Sequence, residues 1–174
     1  MKKNSFVFIT LLFMVINACG LQKSFHKNSK HKQTDISNNH LSYIRMHRTA
    51  CFGRCPVYSI EIFDNGLLRY SGIRFVSDTG VFEKKIEIGK VKEFLASFEK
   101  FKLDTVHESY ENRIVDLPGI FYEFKLGNDE MHVKNAQFGP NFLKSIATEI
   151  DNFVLVENGT IGDSTWKKTI LKTN

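Results

Sequence analysis

Two runs of strict alternation flank a short two-cysteine loop, and together they commit the chain to a sheet. Ile44 and Met46 alternate with Tyr43, Arg45 and His47, and Tyr58, Ile60 and Ile62 alternate with Ser59 and Glu61. Successive side chains on a strand point to opposite faces, so each run predicts a strand with one buried face, which a helix of period 3.6 could not provide. Between them lies Cys51-Phe52-Gly53-Arg54-Cys55-Pro56. Gly53 lets the backbone turn and Pro56 has no N–H to give to a ladder, so the segment reads as a corner.

The same period continues downstream. Asp64-Asn65-Gly66 supplies residues that tolerate positive φ in a hairpin turn, and a third strand follows over 67–72. A fourth is predicted over 81–88, with Phe82, Ile86 and Ile88 facing in and Lys84 as the exception on the apolar side. At Lys90 the period changes: Val91, Phe94, Leu95, Phe98 and Phe101 form one helical stripe. The segment 104–118 has no clean period and reads as a long polar connection carrying His107, Glu108, Tyr110, Glu111, Arg113 and Asp116. Ile120, Tyr122, Phe124 and Leu126 predict a fifth strand, in which Phe121 breaks the polar face as a candidate interface residue. Gly127-Asn128-Asp129 turns the chain, and Met131 and Val133 mark a sixth. After Gly139-Pro140, Phe142, Leu143, Ile146, Ile150 and Phe153 form a second helical stripe, which Asn158-Gly159 is expected to end. The fold class expected is therefore α+β, an antiparallel sheet in the order β-β-β-β-α-β-β-α with two amphipathic helices packed on it. Sixteen Phe against one Trp point to core packing, since Phe carries no polar group.

The first residues read as an address. Lys2-Lys3 and the apolar run 6–16 form a secretory signal too short to span a bilayer, which needs about 20 apolar residues. Ile16-Asn17-Ala18-Cys19-Gly20 resembles a bacterial lipobox, making Cys19 the expected lipid attachment. Acyl chains hold at ~0.8 kcal/mol per buried methylene, so the membrane is the first expected partner, reached through the N-terminal lipid. Gly20 after the cysteine implies the outer membrane, with no acidic cluster to direct the chain to the cell surface, so the periplasmic face is expected. Segment 21–40, with Lys23, Lys27, Lys30 and Lys32 among Ser, Asn and Gln, reads as a basic linker. The domain organisation expected is 1–18 signal, 19–40 lipidated linker, 41–158 globular domain and 159–174 tail, with Trp166 as the tail's apolar anchor. Removing Lys2 and Lys3 lowers the net charge of +5 to +3, too small an excess to predict a nucleic-acid partner.

With Cys19 lipidated in an oxidising compartment, Cys51 and Cys55 are expected to form a disulfide. The alternative is thiol-redox chemistry or copper or zinc binding through the same two residues, with His47 or His132 as the histidines that would join them. A thioredoxin-type site has two residues between its cysteines and a helix after them. Here three intervene and a strand follows. The spacing is also similar to the copper site of certain thioredoxin-fold assembly proteins, but this chain lacks their strand–helix alternation. His107, Glu108, Glu111 and Asp116 have no diagnostic spacing, and their segment reads as a solvated loop. No phosphate loop, serine nucleophile elbow or metalloprotease helix motif occurs. No catalytic residue, metal site or cofactor is therefore assigned. Arg54, held on the loop, is the candidate contact for an acidic partner, an unidentified protein or envelope component.

Taken together, Cys51-Phe52-Gly53-Arg54-Cys55-Pro56-Val57-Tyr58, the Asp64-Asn65-Gly66 turn and Val115-Asp116-Leu117-Pro118 resemble the pattern of a bacterial family recorded as domain of unknown function 6438. The resemblance covers about 41–153 and implies a small exported protein or lipoprotein. It carries over no activity and no catalytic residue.

Overall fold

The computed structural model describes residues 40–110, 116–155 and 160–169. The expected signal and the linker as far as Asn39, Cys19 included, together with Glu111, Arg113, Val115 and Asn158-Gly159, lie outside the described residues.

The alternating runs form the strands expected of them. β1 (Leu41–Arg48), β2 (Val57–Phe63), β3 (Leu67–Arg74) and β4 (Gly80–Lys85) make an antiparallel meander. β5 (Ile120–Leu126) returns to pair with β1, β6 (Asp129–Val133) pairs with β5, and β7 (Lys167–Thr169) pairs with β4. The result is a seven-stranded antiparallel sheet of order β6-β5-β1-β2-β3-β4-β7. Among the described residues two α-helices, α1 (Ile88–Ala96) and α2 (Asn141–Val154), complete an α+β architecture.

One sheet face is the core wall. Ile44, Met46, Tyr58, Ile60, Ile62, Leu68, Tyr70, Tyr122 and Phe124 are buried there with Val91 and Leu95 of α1 and Leu143, Ile146 and Ile150 of α2. The helices meet where Phe94 stacks on Phe153 at 4.0 Å between centroids, and Phe101, in the turns after α1, stacks on Phe142 at 5.0 Å. Tyr122 Oη donates to the Leu143 carbonyl at 2.6 Å, tying sheet to helix and satisfying a buried hydroxyl.

Several local expectations are corrected. β4 ends at Lys85, and Ile88 begins α1 and is half exposed instead of facing in. The bond from Ile86 N to the Gly66 carbonyl at 3.0 Å carries the β3–β4 register one residue further, and Glu87 then caps α1, its carbonyl accepting from Val91 N at 3.3 Å. Gly66 itself has φ +86, the left-handed conformation the turn requires. α1 is shorter than its stripe: it stops at Ala96, and Phe98, fully buried, reaches the core from the turns that follow. α2 stops at Val154, ahead of Asn158-Gly159, because Leu155 is extended. Lys84, the exception on the apolar side, is explained by the tail. Its ammonium meets Asp163 Oδ2 at 2.6 Å and lies 5.9 Å from the centre of the buried Trp166 ring.

The tail is thus part of the packing, ending in a strand too short to show a period and carrying Lys167 and Lys168, a composition that blunts a sheet edge. The polar connection covers part of the other edge, where Lys134 N donates to the Glu108 carbonyl at 2.8 Å and Tyr110 N to the Lys134 carbonyl at 3.1 Å.

Candidate functional site

The cysteine loop projects from the end of β1. Thr49 N donates to the Gly119 carbonyl at 3.0 Å and Gly119 N donates back to Thr49 Oγ1 at 2.7 Å, so the loop's base is stitched to the segment before β5. The Sγ atoms of Cys51 and Cys55 lie at disulfide distance, with Cα atoms 5.7 Å apart, and Gly53 N points at Cys51 Sγ at 3.2 Å. Within this ring Phe52 is 92% exposed. Burial of a side chain of this size contributes about 1.5–3 kcal/mol, a gain that Phe52 forgoes within the isolated chain and that a contact covering it would supply.

The end of β3 completes a surface beside the ring. Arg54 Cζ lies 5.7 Å and Arg74 Cζ 4.9 Å from the centre of the Phe75 ring. Phe75 has φ +57, which is uncommon for a bulky residue and costs on the order of 1 kcal/mol or more. Ile73 and Phe75 are exposed. Neither Arg54 nor Arg74 forms an ion pair among the described residues. The patch is therefore apolar and cationic, with both guanidiniums ordered by an aromatic ring.

Three side chains lock both flanking strands to α2: Tyr58, which the alternation places on the buried face, and Arg48 and Asp151, which the sequence analysis does not single out. Arg48 Nε donates to Asp151 Oδ2 at 3.1 Å, with its Nη2 on the same oxygen, and Tyr58 Oη donates to Asp151 Oδ1 at 2.8 Å. Burial opposes the charge on Arg48, but Asp151 outweighs it and the guanidinium holds its proton more tightly than usual. Burial, reinforced by the Asp151 charge, pushes the Tyr58 hydroxyl well above its ordinary range. The signal was present: Arg48 follows Ile44 and Met46 at period two, placing it on the apolar face.

The opposite sheet face carries a continuous row of ionisable side chains, His132, Glu123, Arg45, Glu61, Arg69, Glu83 and Lys167, one from each of the seven strands. Arg45 Nη1 bonds Glu123 at 3.0 Å, and Arg69 reaches Glu61 at 3.1 Å and Glu83 at 2.8 Å. His47 and Phe121 sit beside this row with ring centres 6.4 Å apart.

His47 is half-buried, and burial followed by the Arg45 charge lowers its pKa below 6.5. The unfolded chain therefore binds the extra proton first, so this group's contribution to stability is complete above pH 6.5 and is lost as pH falls toward the folded value. An NMR titration of the His47 ring is expected to show a midpoint below 6.5. A midpoint at or above it would remove this pH dependence.

His47 and His132 both line one cleft on this face, and neither Cys51 nor Cys55 lines it. Among the described residues, however, no three His, Cys, Asp or Glu side chains form a group able to hold a metal. His107 packs on Tyr110, and Glu108 lines a separate hollow at the β6 edge. Among the described residues, the polar connection is not gathered into an acid–base arrangement.

The profile of a family described as Domain of unknown function (DUF6438) matches residues 42–154. The chain belongs to the DUF6438 family. No curated protein matches it. The DUF6438 match begins within β1 and ends at the last residue of α2, so it contains the loop, the Arg48–Tyr58–Asp151 cluster and both helices, and stops short of β7.

Proposed function

We propose that the chain is a lipoprotein anchored through Cys19 in the outer membrane, facing the periplasm, and that its DUF6438 domain is a non-catalytic binding module which offers the cysteine loop to another protein or envelope component. The observation that carries this reading is Phe52, almost fully exposed on a closed ring and flanked by Arg54, Arg74 and Phe75. Aromatic and arginine side chains held in one geometry are the composition of interface hot spots, and a ring already closed loses little freedom on binding.

The polarity of the domain supports the same reading. Chain entry and the loop lie at the two ends of β1, which eight residues at about 3.3 Å each make roughly 26 Å long. A tether before Leu41 holds the domain by one end and leaves Phe52 and Arg54 at the other. No helix among the described residues is long and apolar enough to cross a membrane, and the proposed anchor needs none.

Two measurements test the proposal. Intact mass spectrometry of the mature protein is expected to give a diacylated or triacylated chain beginning at Cys19; an unacylated chain sinks the anchor. In-cell crosslinking is expected to give a discrete adduct that Phe52→Ser and Arg54→Ala each reduce about 5- to 30-fold, the effect of losing 1–2 kcal/mol at a hot spot. Both variants are expected to change unfolding free energy by less than about 0.5 kcal/mol. An adduct indifferent to both substitutions places the contact elsewhere.

A further inference from the structure

The two edges of the sheet are finished differently. β7 forms one and carries Lys167 and Lys168, while the other is β6, which the polar connection covers only in part. Lys134, directly after β6, donates its N–H to Glu108 and accepts from Tyr110 N. Backbone groups along a strand point to the same side at every second residue, so those of His132 and Glu130 also face away from β5. Neither bonds another backbone group on that side among the described residues. The connection has peeled away there, leaving a hollow of about 410 Å³ between Val106, Glu108 and Ser109 on one wall and Glu130, Met131 and His132 on the other. The pairing made at Lys134 is thus discontinued where the edge still has donors, acceptors and room beside them.

We propose that the β6 edge is a docking site for an extended segment of a protein partner, taken up as an added strand in which basic and apolar residues alternate. The site is independent of the cysteine loop and of any anchor. Main-chain bonds to Glu130 and His132 supply the attraction, and the side chains on either face set the specificity. Those faces follow from the β5–β6 register. Met131 stands opposite Phe124 on the core side, and it and Val106 pack against the core while only partly buried, so a side chain arriving on that face meets apolar surface. Glu130 and His132 stand on the other face, opposite Lys125 and Glu123.

Charge selects the partner. Glu108 and Glu130 outnumber Lys134 in the lining, so with His132 neutral the hollow is acidic. Glu130 makes no ion pair with Lys125 across the ladder; its one ion-pair neighbour among the described residues is His132, whose Nε2 lies 3.7 Å from Glu130 Oε1. The carboxylate is therefore available to a cation set down beside it, and opposite charges on neighbouring strands stabilise pairing. The β7 edge of a second copy is the poorer fit. Lys167 and Lys168 are adjacent and point to opposite faces, so one of them would be laid on the apolar side against Met131.

NMR titration of the full chain with the peptide acetyl-Lys-Val-Lys-Val-Lys-amide tests this. The backbone amides of Glu130 and His132 are expected to shift saturably, at a dissociation constant of about 1 mM or tighter, and to exchange with solvent about fivefold more slowly when bound. The charge-reversed peptide, with Glu in place of Lys, is expected to bind about tenfold more weakly. Glu130→Lys, at an exposed position, is expected to weaken the basic peptide by about as much with native chemical shifts elsewhere. Only one edge of an added strand faces β6, so of two peptides N-methylated at every lysine or at every valine, one is expected to lose binding and the other to keep it. No saturable shift overturns the site. Equal binding of the two methylated peptides overturns strand addition, and equal binding of the charge-reversed peptide overturns the basic class. Shifts of the same amides with protein concentration alone would assign the edge to a second copy and overturn the partner segment.

Discussion

Asp151→Ala is expected to lower the unfolding free energy of the DUF6438 domain by about 3 kcal/mol, because removing one partner of a buried ion pair leaves the other charge uncompensated. Arg48 would keep a side chain only 25% exposed and lose the sole carboxylate it is bonded to among the described residues, while Tyr58 would lose the acceptor of its hydroxyl. The figure is taken from the low end of the range for buried pairs because Asp151 itself is 21% exposed and water can reach the site. With a urea slope of about 1.5 kcal/mol/M, the midpoint should fall by about 2 M. Tyr58→Phe, which removes one hydrogen bond and leaves the pair intact, should cost only about 1 kcal/mol. Arg48→Met combined with Asp151→Leu should recover much of the loss, since apolar replacement of both partners removes the unpaired charge. A loss below about 1 kcal/mol in Asp151→Ala would mean that the cluster does not hold β1 and β2 to α2.

That cluster also marks where the sequence stops being readable. Alternation made β1, β2, β3, β5 and β6 legible because each buries one face, and the stripe of Phe142, Leu143, Ile146 and Ile150 did the same for α2. Periodicity gives the face of a residue but not its partner, so Arg48 could be placed on the apolar side while Asp151, 103 positions away, could not be matched to it. Ile88 was misassigned for a related reason. An apolar residue two positions after Ile86 continues the strand pattern, while the chain turns into α1 at Glu87, whose carbonyl accepts from Val91 N. β7 carries three residues, fewer than a period needs, and its place is set by Trp166 and by Lys84 meeting Asp163.

The candidate surface was legible in the same uneven way. Cys51, Arg54 and Cys55 stood out because they are neighbours in the chain. Arg74 and Phe75 joined them only through the register that sets Val57 opposite Arg74. The cleft lined by His47, Phe121 and His132 needed three strands, β1, β5 and β6, to be laid side by side.

Replacing both cysteines, Cys51→Ala with Cys55→Ala, is expected to cost about 2 kcal/mol, the loop-entropy value for a ring of about five residues. The effect is smaller than that of Asp151→Ala because a short ring removes little freedom from the unfolded chain, and it acts largely through that state. Wild-type protein unfolded in reductant should match the double variant, since both lack the same crosslink. The comparison separates the two readings of the loop. If Cys51 and Cys55 clamp a contact surface, the double variant loses both about 2 kcal/mol and most of the crosslinked adduct, because Phe52 and Arg54 are no longer held in one geometry. A pair that cycles in thiol chemistry would instead be found partly reduced in freshly isolated protein, with free thiols labelled before any reductant is added. Phe52→Ser then completes the argument, for it leaves both cysteines in place. Loss of the adduct in Phe52→Ser at unchanged stability would assign the contact to the side chains the ring displays, and retention of the adduct would return attention to its sulfur atoms.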